Sequence, residues 1–264
     1  SDKGVVGGLW TPNDGQTNPV DTTMAYAKGA RQGGAHIFEN TEVSDIVVEN
    51  GRAVGVRVLY DGVEGEVRAP TVVLAAGMWS HWIARKHGVR LALQAAEHFY
   101  IVTEAMAGVP TNLPVLRVPD EWAYYKEDAG KLLLGAFEPV AKPWALQGIP
   151  KDFCFDELPQ DFDHFEPVLS KAMERVPILQ TTGIATWFNG PESFTPDDRY
   201  LLGESAEVRG LFLACGFTKP HSAPTAPQRF YDLYDVSRVP LPVDFAPTPT
   251  VPAGFPAACL TPNG

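Results

Sequence analysis

The feature that most constrains this chain is the stretch Pro70–Ser80, which reads PTVVLAAGMWS. Its apolar run, Val72–Ala76, is typical of a strand in a sheet that is covered on both faces. A small-residue turn, Ala76-Gly77, follows, and residues 80–87 are predicted to be helical. A strand, a small-residue turn and a helix start in this order are typical of a turn that contacts a nucleotide. The glycine-rich phosphate loop that accompanies such a turn contains Gly-x-Gly, and this pattern does not occur in the 264 residues.

The composition argues against several classes of function. The formal net charge of −11 at pH 7 argues against nucleic acid or an anionic membrane as the main partner. No apolar run approaches the roughly 18–20 residues that span a bilayer. The three cysteines are odd in number, far apart and without metal-ligand spacing. We therefore predict no metal site, no membrane partner and a reducing, cytoplasmic compartment.

The first third of the chain is predicted to form one helix and a small antiparallel meander. Asp21 can cap a helix that ends at Gly33-Gly34. The Asn50-Gly51 pair between two β-rich runs is a strong signal for a β-hairpin. The predicted strands cover residues 36–38, 43–48, 53–60 and 64–68.

The remainder of the chain favours a mostly antiparallel sheet, followed by a proline-rich segment. Predicted strands cover 98–104, 122–127, 131–137, 182–188 and 211–215, and a helix covers 162–176. After Phe217 the recurring prolines favour polyproline II or disorder. We therefore expect a partial nucleotide-binding domain over 1–92, a β-rich substrate domain over 93–190, a return to the first domain over 191–217 and a divergent tail over 218–264.

Five motifs occur in the order in which they recur in one protein family. They are TPNDG at 11–15, AKGAR at 27–31, AAGMWS at 75–80, FNGPESFTPD at 188–197 and LACGF at 213–217. Over residues 4–217 the chain resembles the FAD-dependent amine oxidoreductases of the D-amino-acid oxidase superfamily, above all the dimethylglycine and sarcosine dehydrogenases. The resemblance implies an α/β (α+β) fold, with a partial Rossmann-like FAD-binding domain and a mostly antiparallel substrate domain.

The same resemblance implies an activity, a cofactor and partners. The implied reaction is the oxidation and demethylation of an N-methylated glycine derivative such as dimethylglycine or sarcosine. FAD is the implied cofactor, and folate can trap the product in full-length relatives. Either oxygen or an electron-transfer flavoprotein would take the electrons. In a eukaryote the implied compartment is the mitochondrial matrix.

The cofactor-contacting positions of the family match Val43, Ala76, Gly77, Trp79 and Gly216. A core strand that simply ends in a turn is the alternative interpretation of the Ala76-Gly77 pair. The chain departs from the family pattern at the missing glycine-rich loop and at the prolines after residue 217, which oppose the start of a helix. Backbone N–H groups at a helix N-terminus ordinarily hold a diphosphate. We therefore expect this chain alone to hold FAD weakly or not at all.

Candidate substrate residues lie in the β-rich region. His98 and Tyr100 are two residues apart on a predicted strand, so their side chains share a face. Amine oxidation by flavin needs a neutral nitrogen, which an adjacent neutral imidazole favours, so His98 is a catalytic candidate. Tyr124 resembles the tyrosine that binds substrate in the family and is the second catalytic candidate. Tyr100, Tyr125 and Arg199 are candidates for substrate binding. The alternatives are half-buried sheet aromatics and, for Arg199, an ion pair with the neighbouring aspartates.

Two functions stay open at the level of the sequence. One is the flavin-dependent enzyme described above. The other is a truncated, non-catalytic homologue that binds no flavin and acts, if at all, as a scaffold or interaction protein. A fold resemblance does not establish that a site works, so retention of FAD by the purified chain is the property that separates the two.

Overall fold

The computed structural model describes residues 1–138, 140–154, 156–196 and 199–217. The described residues divide into two compact units. The β-rich unit takes residues 1–16 and 94–196, and the mixed unit takes residues 17–93 and 199–217. The expected divergent tail over 218–264 lies outside the described residues.

Three α-helices and eleven β-strands form within the described part of the chain. The helices are α1 (Pro19–Gln32), α2 (Ser80–Arg85) and α3 (Phe162–Arg175). The strands are β1 (Thr41–Glu49), β2 (Arg52–Tyr60), β3 (Val63–Arg68), β4 (Val72–Leu74), β5 (Gln94–Thr103), β6 (Leu116–Val118), β7 (Ala123–Asp128), β8 (Lys131–Ala136), β9 (Ile184–Phe194), β10 (Leu201–Glu204) and β11 (Leu211–Cys215). Helices combined with mostly antiparallel sheets confirm the α/β (α+β) fold class. No helix among these residues is long and apolar enough to cross a membrane.

The antiparallel meander of the mixed unit has the order β1-β2-β3, as predicted. Its first hairpin turns at Asn50 and Gly51, whose φ angles are +51° and +72°. A tight turn with both central residues at positive φ matches the right-handed twist of the strands that flank it. The Asn-Gly signal in the sequence is therefore confirmed.

A second sheet of the mixed unit has the order β10-β11-β4. Strand β4 runs parallel to β11 and places Leu74 opposite Leu213, whereas β10 is antiparallel to β11. Both leucines are buried in the core of this unit, but Val73 on the other face of β4 is 52% exposed. The expectation that β4 is covered on both faces is therefore wrong for the described residues.

Helix α1 begins three residues earlier than a cap at Asp21 predicts. Asn18 is the cap, because its side-chain oxygen accepts hydrogen bonds from the backbone N–H groups of Val20 and Asp21 at 2.9 and 3.2 Å. Pro19 then occupies the first helical position, where its missing N–H costs nothing. The strand predicted over 36–38 does not form. The left-handed turn at Asn40 follows too soon after the helix for a ladder to develop.

The β-rich unit is built on one five-stranded antiparallel sheet of order β6-β7-β8-β5-β9. Helix α3 covers one face, where Phe165 and Val168 pack in a buried core with Phe99 and Leu134. Strand β9 continues to Phe194, so the expected domain boundary at residue 190 falls inside a strand.

Candidate functional site

Five residues form one row across the face of the five-stranded sheet that points away from α3. Strand pairing places Arg117 opposite Tyr124, both Tyr124 and Tyr100 opposite Gly135, and Phe188 opposite Tyr100. Side chains alternate between faces along a strand, so the core residue Phe99 points to α3 while its neighbours point the other way. This side of the sheet is called the aromatic face below.

Phe137, which directly follows β8, connects several members of the aromatic face. Its ring centroid lies 5.3 Å from that of Tyr124 and 6.3 Å from that of His98. The guanidinium carbon of Arg117 lies 4.4 Å from the same centroid, within the range of a cation–π contact. Phe137 is itself buried. The result is an aromatic surface with an arginine at one end and a histidine at the other.

Gly135 makes the close approach of Tyr124 to the sheet possible. An added Cβ at Gly135 would overlap the ring carbons and hydroxyl oxygen of Tyr124. On the next strand, Tyr100 stacks on Phe188 with ring centroids 4.4 Å apart and an interplanar angle of 20°. The glycine therefore lets one tyrosine ring lie flat over the strand, beside a second stacked pair.

Negative charge surrounds the tyrosine rings. Burial raises the pKa of Tyr124 to about 12, and the carboxylates of Glu192 and Glu138 add to the shift. Strand pairing puts Glu192 opposite Ala96, so its side chain shares the aromatic face with Tyr100. Burial disfavours a charge of either sign, but the carboxylates of Glu192 and Glu138 attract a positive one such as an alkylammonium.

His98 forms a buried pair with Glu138. The distance from Nδ1 of His98 to Oε2 of Glu138 is 3.0 Å, and the two side chains are 9% and 3% exposed. The other carboxylate oxygen, Oε1, accepts the backbone N–H of Phe99 at 2.9 Å. A buried carboxylate that has a partner for each oxygen is held in one orientation.

In the mixed unit, the carboxyl ends of β4 and β11 meet at one sheet edge because the strands are parallel. Gly77 follows β4 with φ +51°, and Gly216 follows β11 with φ +73°. Apart from its own turn, no atom of the described residues lies within 4 Å of a Cβ built on Gly77, so this part of the chain leaves room for a ligand there. Tyr200 and Phe217 stack at the same edge with centroids 5.1 Å apart. Ligands of open α/β sheets bind at such edges, so these residues fit the side of a flavin dinucleotide.

The structure brings some of the predicted site residues together and separates others. His98, Tyr100 and Tyr124 share the aromatic face, but Tyr125 points to the opposite side and is 3% exposed in the core beside α3. The two tyrosines of β7 therefore do not line one surface. Arg199 belongs to the mixed unit rather than to the β-rich unit. Their substrate-binding roles stay predictions.

The predicted cofactor residues all belong to the mixed unit. Ala76, Gly77 and Gly216 lie at the shared edge of β4 and β11. Trp79 follows the Gly77 turn directly and is 39% exposed, whereas Val43 lies on β1 in the separate meander sheet and is 40% exposed. The roles of these five residues in binding FAD stay predictions.

Sequence reasoning missed three residues of the aromatic face. Arg117 lies on a strand of three residues, which is too short for alternation to be read. Phe137 is the last residue of the strand predicted over 131–137, and Glu138 lies just beyond it, whereas β8 ends at Ala136. No pattern in the sequence connects either residue with His98.

A family model described as FAD dependent oxidoreductase matches residues 1–223. The 4-methylaminobutanoate oxidase (formaldehyde-forming) of Paenarthrobacter nicotinovorans is 40% identical over 214 residues, which are 81% of this chain and 25% of that protein. The mitochondrial sarcosine dehydrogenase of Homo sapiens is 38% identical over 216 residues, which are 80% of this chain and 23% of that protein. The chain thus spans about a quarter of the length of these relatives.

The solved structures agree on the fold. The crystal structure of L-proline dehydrogenase from P. horikoshii matches with a TM-score of 0.65 and 23% identity. The match covers 79% of this chain and 52% of that one. At this identity the likeness establishes the architecture and leaves the chemistry to be argued from the residues.

Proposed function

We propose, since this chain belongs to the FAD dependent oxidoreductase family, that it takes part in the FAD-dependent oxidation of an N-methylated amino acid. The observation that carries the proposal is the aromatic face. It presents an arginine, aromatic rings and carboxylates on one surface. An N-methylated amino acid is a zwitterion. Its carboxylate can pair with the arginine, and its methylammonium group can bind to the aromatic rings and the carboxylates.

Arg117 is the proposed partner of the substrate carboxylate. A guanidinium offers a planar fork of N–H donors that matches the two oxygens of a carboxylate. The contact with Phe137 holds the guanidinium over the ring and so fixes the plane of that fork. Arg117 replaces Arg199 in this role in the proposal, because Arg117 and the predicted tyrosines lie on one sheet.

The rings of Tyr124 and Tyr100 are proposed to hold the N-methylated amine. Methylammonium groups bind over aromatic rings, and the nearby carboxylates of Glu192 and Glu138 strengthen that attraction. The amine must then lose its proton, because only a neutral nitrogen has the lone pair that oxidation requires. His98 is the proposed acceptor of this proton, because a neutral imidazole has a lone pair on one ring nitrogen.

The cofactor fits the carboxyl edge of the mixed unit, where Ala76, Gly77 and Gly216 would contact it through their backbone. When bound, FAD supplies the acceptor for a hydride from the N-methyl carbon. The oxidised substrate is an iminium, and its hydrolysis releases formaldehyde. We further propose that the one-carbon unit can pass to folate and that an electron-transfer flavoprotein can take the electrons. The proposed location is the cytoplasm or the mitochondrial matrix.

The experiment tests cofactor and substrate separately. The purified chain is mixed with excess FAD and desalted, and its visible spectrum is recorded. It is then titrated anaerobically with sarcosine, dimethylglycine and 4-methylaminobutanoate. Glycine betaine is the matched control, because its quaternary nitrogen has no lone pair. Because the chain alone is expected to hold FAD weakly, excess FAD is added back before this titration. We expect the flavin to be bleached by at least one methylated amine and not by betaine.

A second arm follows substrate binding without flavin. Calorimetric titration of the chain with the same amines is repeated on Arg117→Gln, with Arg57→Gln in the mixed unit as the matched control. Weaker binding for the first variant alone supports the proposal. Flavin that is retained but not bleached by any of the amines contradicts the proposed reaction. A colourless chain that also binds no amine favours the non-catalytic alternative.

A further inference from the structure

We propose that Glu138 is a positioning residue that fixes the tautomer of His98, so that Nδ1 carries the proton and Nε2 is the atom that accepts one from the substrate. The inference rests on the proposed function only for the identity of the proton donor. The tautomer itself follows from the geometry of the pair, and nothing in the sequence pattern marked Glu138 as part of the site.

Each carboxylate oxygen of Glu138 has its own partner on β5. Oε1 of Glu138 is taken by the backbone N–H of Phe99 at 2.9 Å, and Oε2 faces Nδ1 of His98 at 3.0 Å. Both side chains are buried, at 3% and 9% exposure, so water does not compete effectively for these positions. The Phe99 amide belongs to β5, the strand that also carries His98. The carboxylate is therefore fixed to the backbone on one side and to the imidazole on the other.

The charge of Glu138 decides which atom carries the proton. Burial by itself opposes ionisation, but the hydrogen bonds from His98 and from the Phe99 amide outweigh it and lower the pKa of the Glu138 carboxyl. At neutral pH the group is a carboxylate, which can accept hydrogen bonds but cannot donate them. Nδ1 of His98 must therefore be the donor. In the neutral imidazole the lone pair then lies on Nε2.

The arrangement matters because the opposite tautomer has the wrong polarity. A neutral His98 protonated at Nε2 would offer an N–H where the substrate ammonium needs an acceptor. The charged groups that face His98 and Tyr124 include the carboxylates of Glu138 and Glu192. A carboxylate bonded to Nδ1 also stabilises the imidazolium that forms when Nε2 takes the proton. Glu138 thus selects the tautomer before the transfer and stabilises its product.

Glu138→Gln reverses the selection with almost no change in shape. The buried Phe99 amide still needs an acceptor, so the amide oxygen of glutamine takes that position. The NH₂ group then faces Nδ1, which must become an acceptor, and the imidazole proton moves to Nε2. Glu97→Gln is the matched control. Glu97 is a buried carboxylate one residue before His98 on β5, and it bonds to Asn189 and Lys142 instead.

The test reads the tautomer directly. Long-range ¹H–¹⁵N spectra of the ¹⁵N-histidine-labelled chain are recorded from pH 6 to 9, and the His98 pattern is assigned with His98→Gln. We expect the Nδ1–H pattern in the wild type and in Glu97→Gln, and the Nε2–H pattern in Glu138→Gln. The wild-type spectrum needs no variant to fold, so a His98 that shows Nε2–H, or that stays doubly protonated to pH 9, overturns the inference.

Kinetics separate this inference from the proposed function. Where the chain oxidises a methylated amine, Glu138→Gln is expected to lower kcat by roughly 100-fold or more, as the wrong tautomer does in other carboxylate–histidine pairs. Binding of the amine in the calorimeter should change much less. If His98 is protonated at Nδ1 but the chain oxidises no amine, the proposed function is contradicted and the positioning role of Glu138 is not. If Glu138→Gln folds and its His98 keeps the Nδ1–H tautomer, the positioning role of Glu138 is contradicted and the proposed function is not.

Discussion

Gly135→Ala is expected to displace Tyr124 and to destabilise the β-rich unit. The added Cβ would overlap three atoms of the Tyr124 side chain, Cζ, Cε1 and the hydroxyl oxygen. Carbon atoms in contact rest about 3.5–4.0 Å apart, so the ring must retreat by roughly 1.5 Å. Overpacking of this kind costs about 1–3 kcal/mol. The ring would also lose its contact with Phe137, which orients Arg117.

Gly190→Ala is the matched control for this substitution. Gly190 lies opposite His98 on β9, on the same face of the same sheet. Apart from its chain neighbours, no atom that the structure describes lies within 4 Å of a Cβ built there, and its φ is not positive. The alanine restricts the unfolded chain, which is expected to leave stability unchanged or raise it by about 0.4–1 kcal/mol. Two glycines of one sheet should thus respond in opposite directions.

Urea unfolding followed by tryptophan fluorescence measures the two changes in the free energy of unfolding. Near-ultraviolet circular dichroism reports whether the tyrosine environment is altered. Calorimetric titration with sarcosine measures amine binding to the aromatic face. We expect Gly135→Ala to unfold at lower urea and to bind the amine more weakly than Gly190→Ala. If Gly135→Ala is as stable as Gly190→Ala, Tyr124 does not lie over the strand and the reasoning fails.

Three further predictions concern stability. Tyr125→Phe should raise the free energy of unfolding by about 1 kcal/mol, because the buried hydroxyl has no hydrogen-bond partner among the described residues; a loss of stability would reveal a partner. Burial raises the pKa of Tyr124 and Tyr125 from 10.0 to about 12. The folded chain then holds protons that the unfolded chain releases, so the urea midpoint should fall as pH rises from 10 towards 12; a flat profile would contradict this. Gly51→Ala should cost about 1 kcal/mol at its positive φ, and an unchanged thermal midpoint would argue against the tight hairpin.

The sequence predicted residues whose position is set by their own strand. Alternation along β5 placed His98 and Tyr100 on one face, and the structure agrees, because the intervening Phe99 lies in the core. The same rule, applied to β7, sends Tyr124 and Tyr125 to opposite faces. The family resemblance favoured Tyr124 and kept Tyr125 as a further candidate for substrate binding, and the strand geometry places them on opposite faces.

Residues whose position depends on another element could not be predicted. Phe137 and Glu138 lie beyond the end of β8, so their contact with His98 depends on how the chain leaves that strand. The apolar run at β4 indicated cover on both faces, yet Val73 is 52% exposed among the described residues. Hydrophobic patterning indicates which faces of a strand could be buried. Tertiary packing decides whether another element actually covers each face.

The pairing of β4 with β11 has a consequence for the order in which the chain folds. Val72 of β4 lies opposite Leu211 of β11. The second sheet of the mixed unit therefore needs β11, which is synthesised long after β4. The whole sheet of the β-rich unit, from Gln94 to Phe194, is encoded between them. During synthesis from the N-terminus, the inserted sheet can therefore form while β4 still waits for β11. Long-range parallel pairs of this kind form late, because loop closure precedes the contacts that reward it. We infer that the surface proposed to bind the amine is assembled before the edge proposed to receive the flavin.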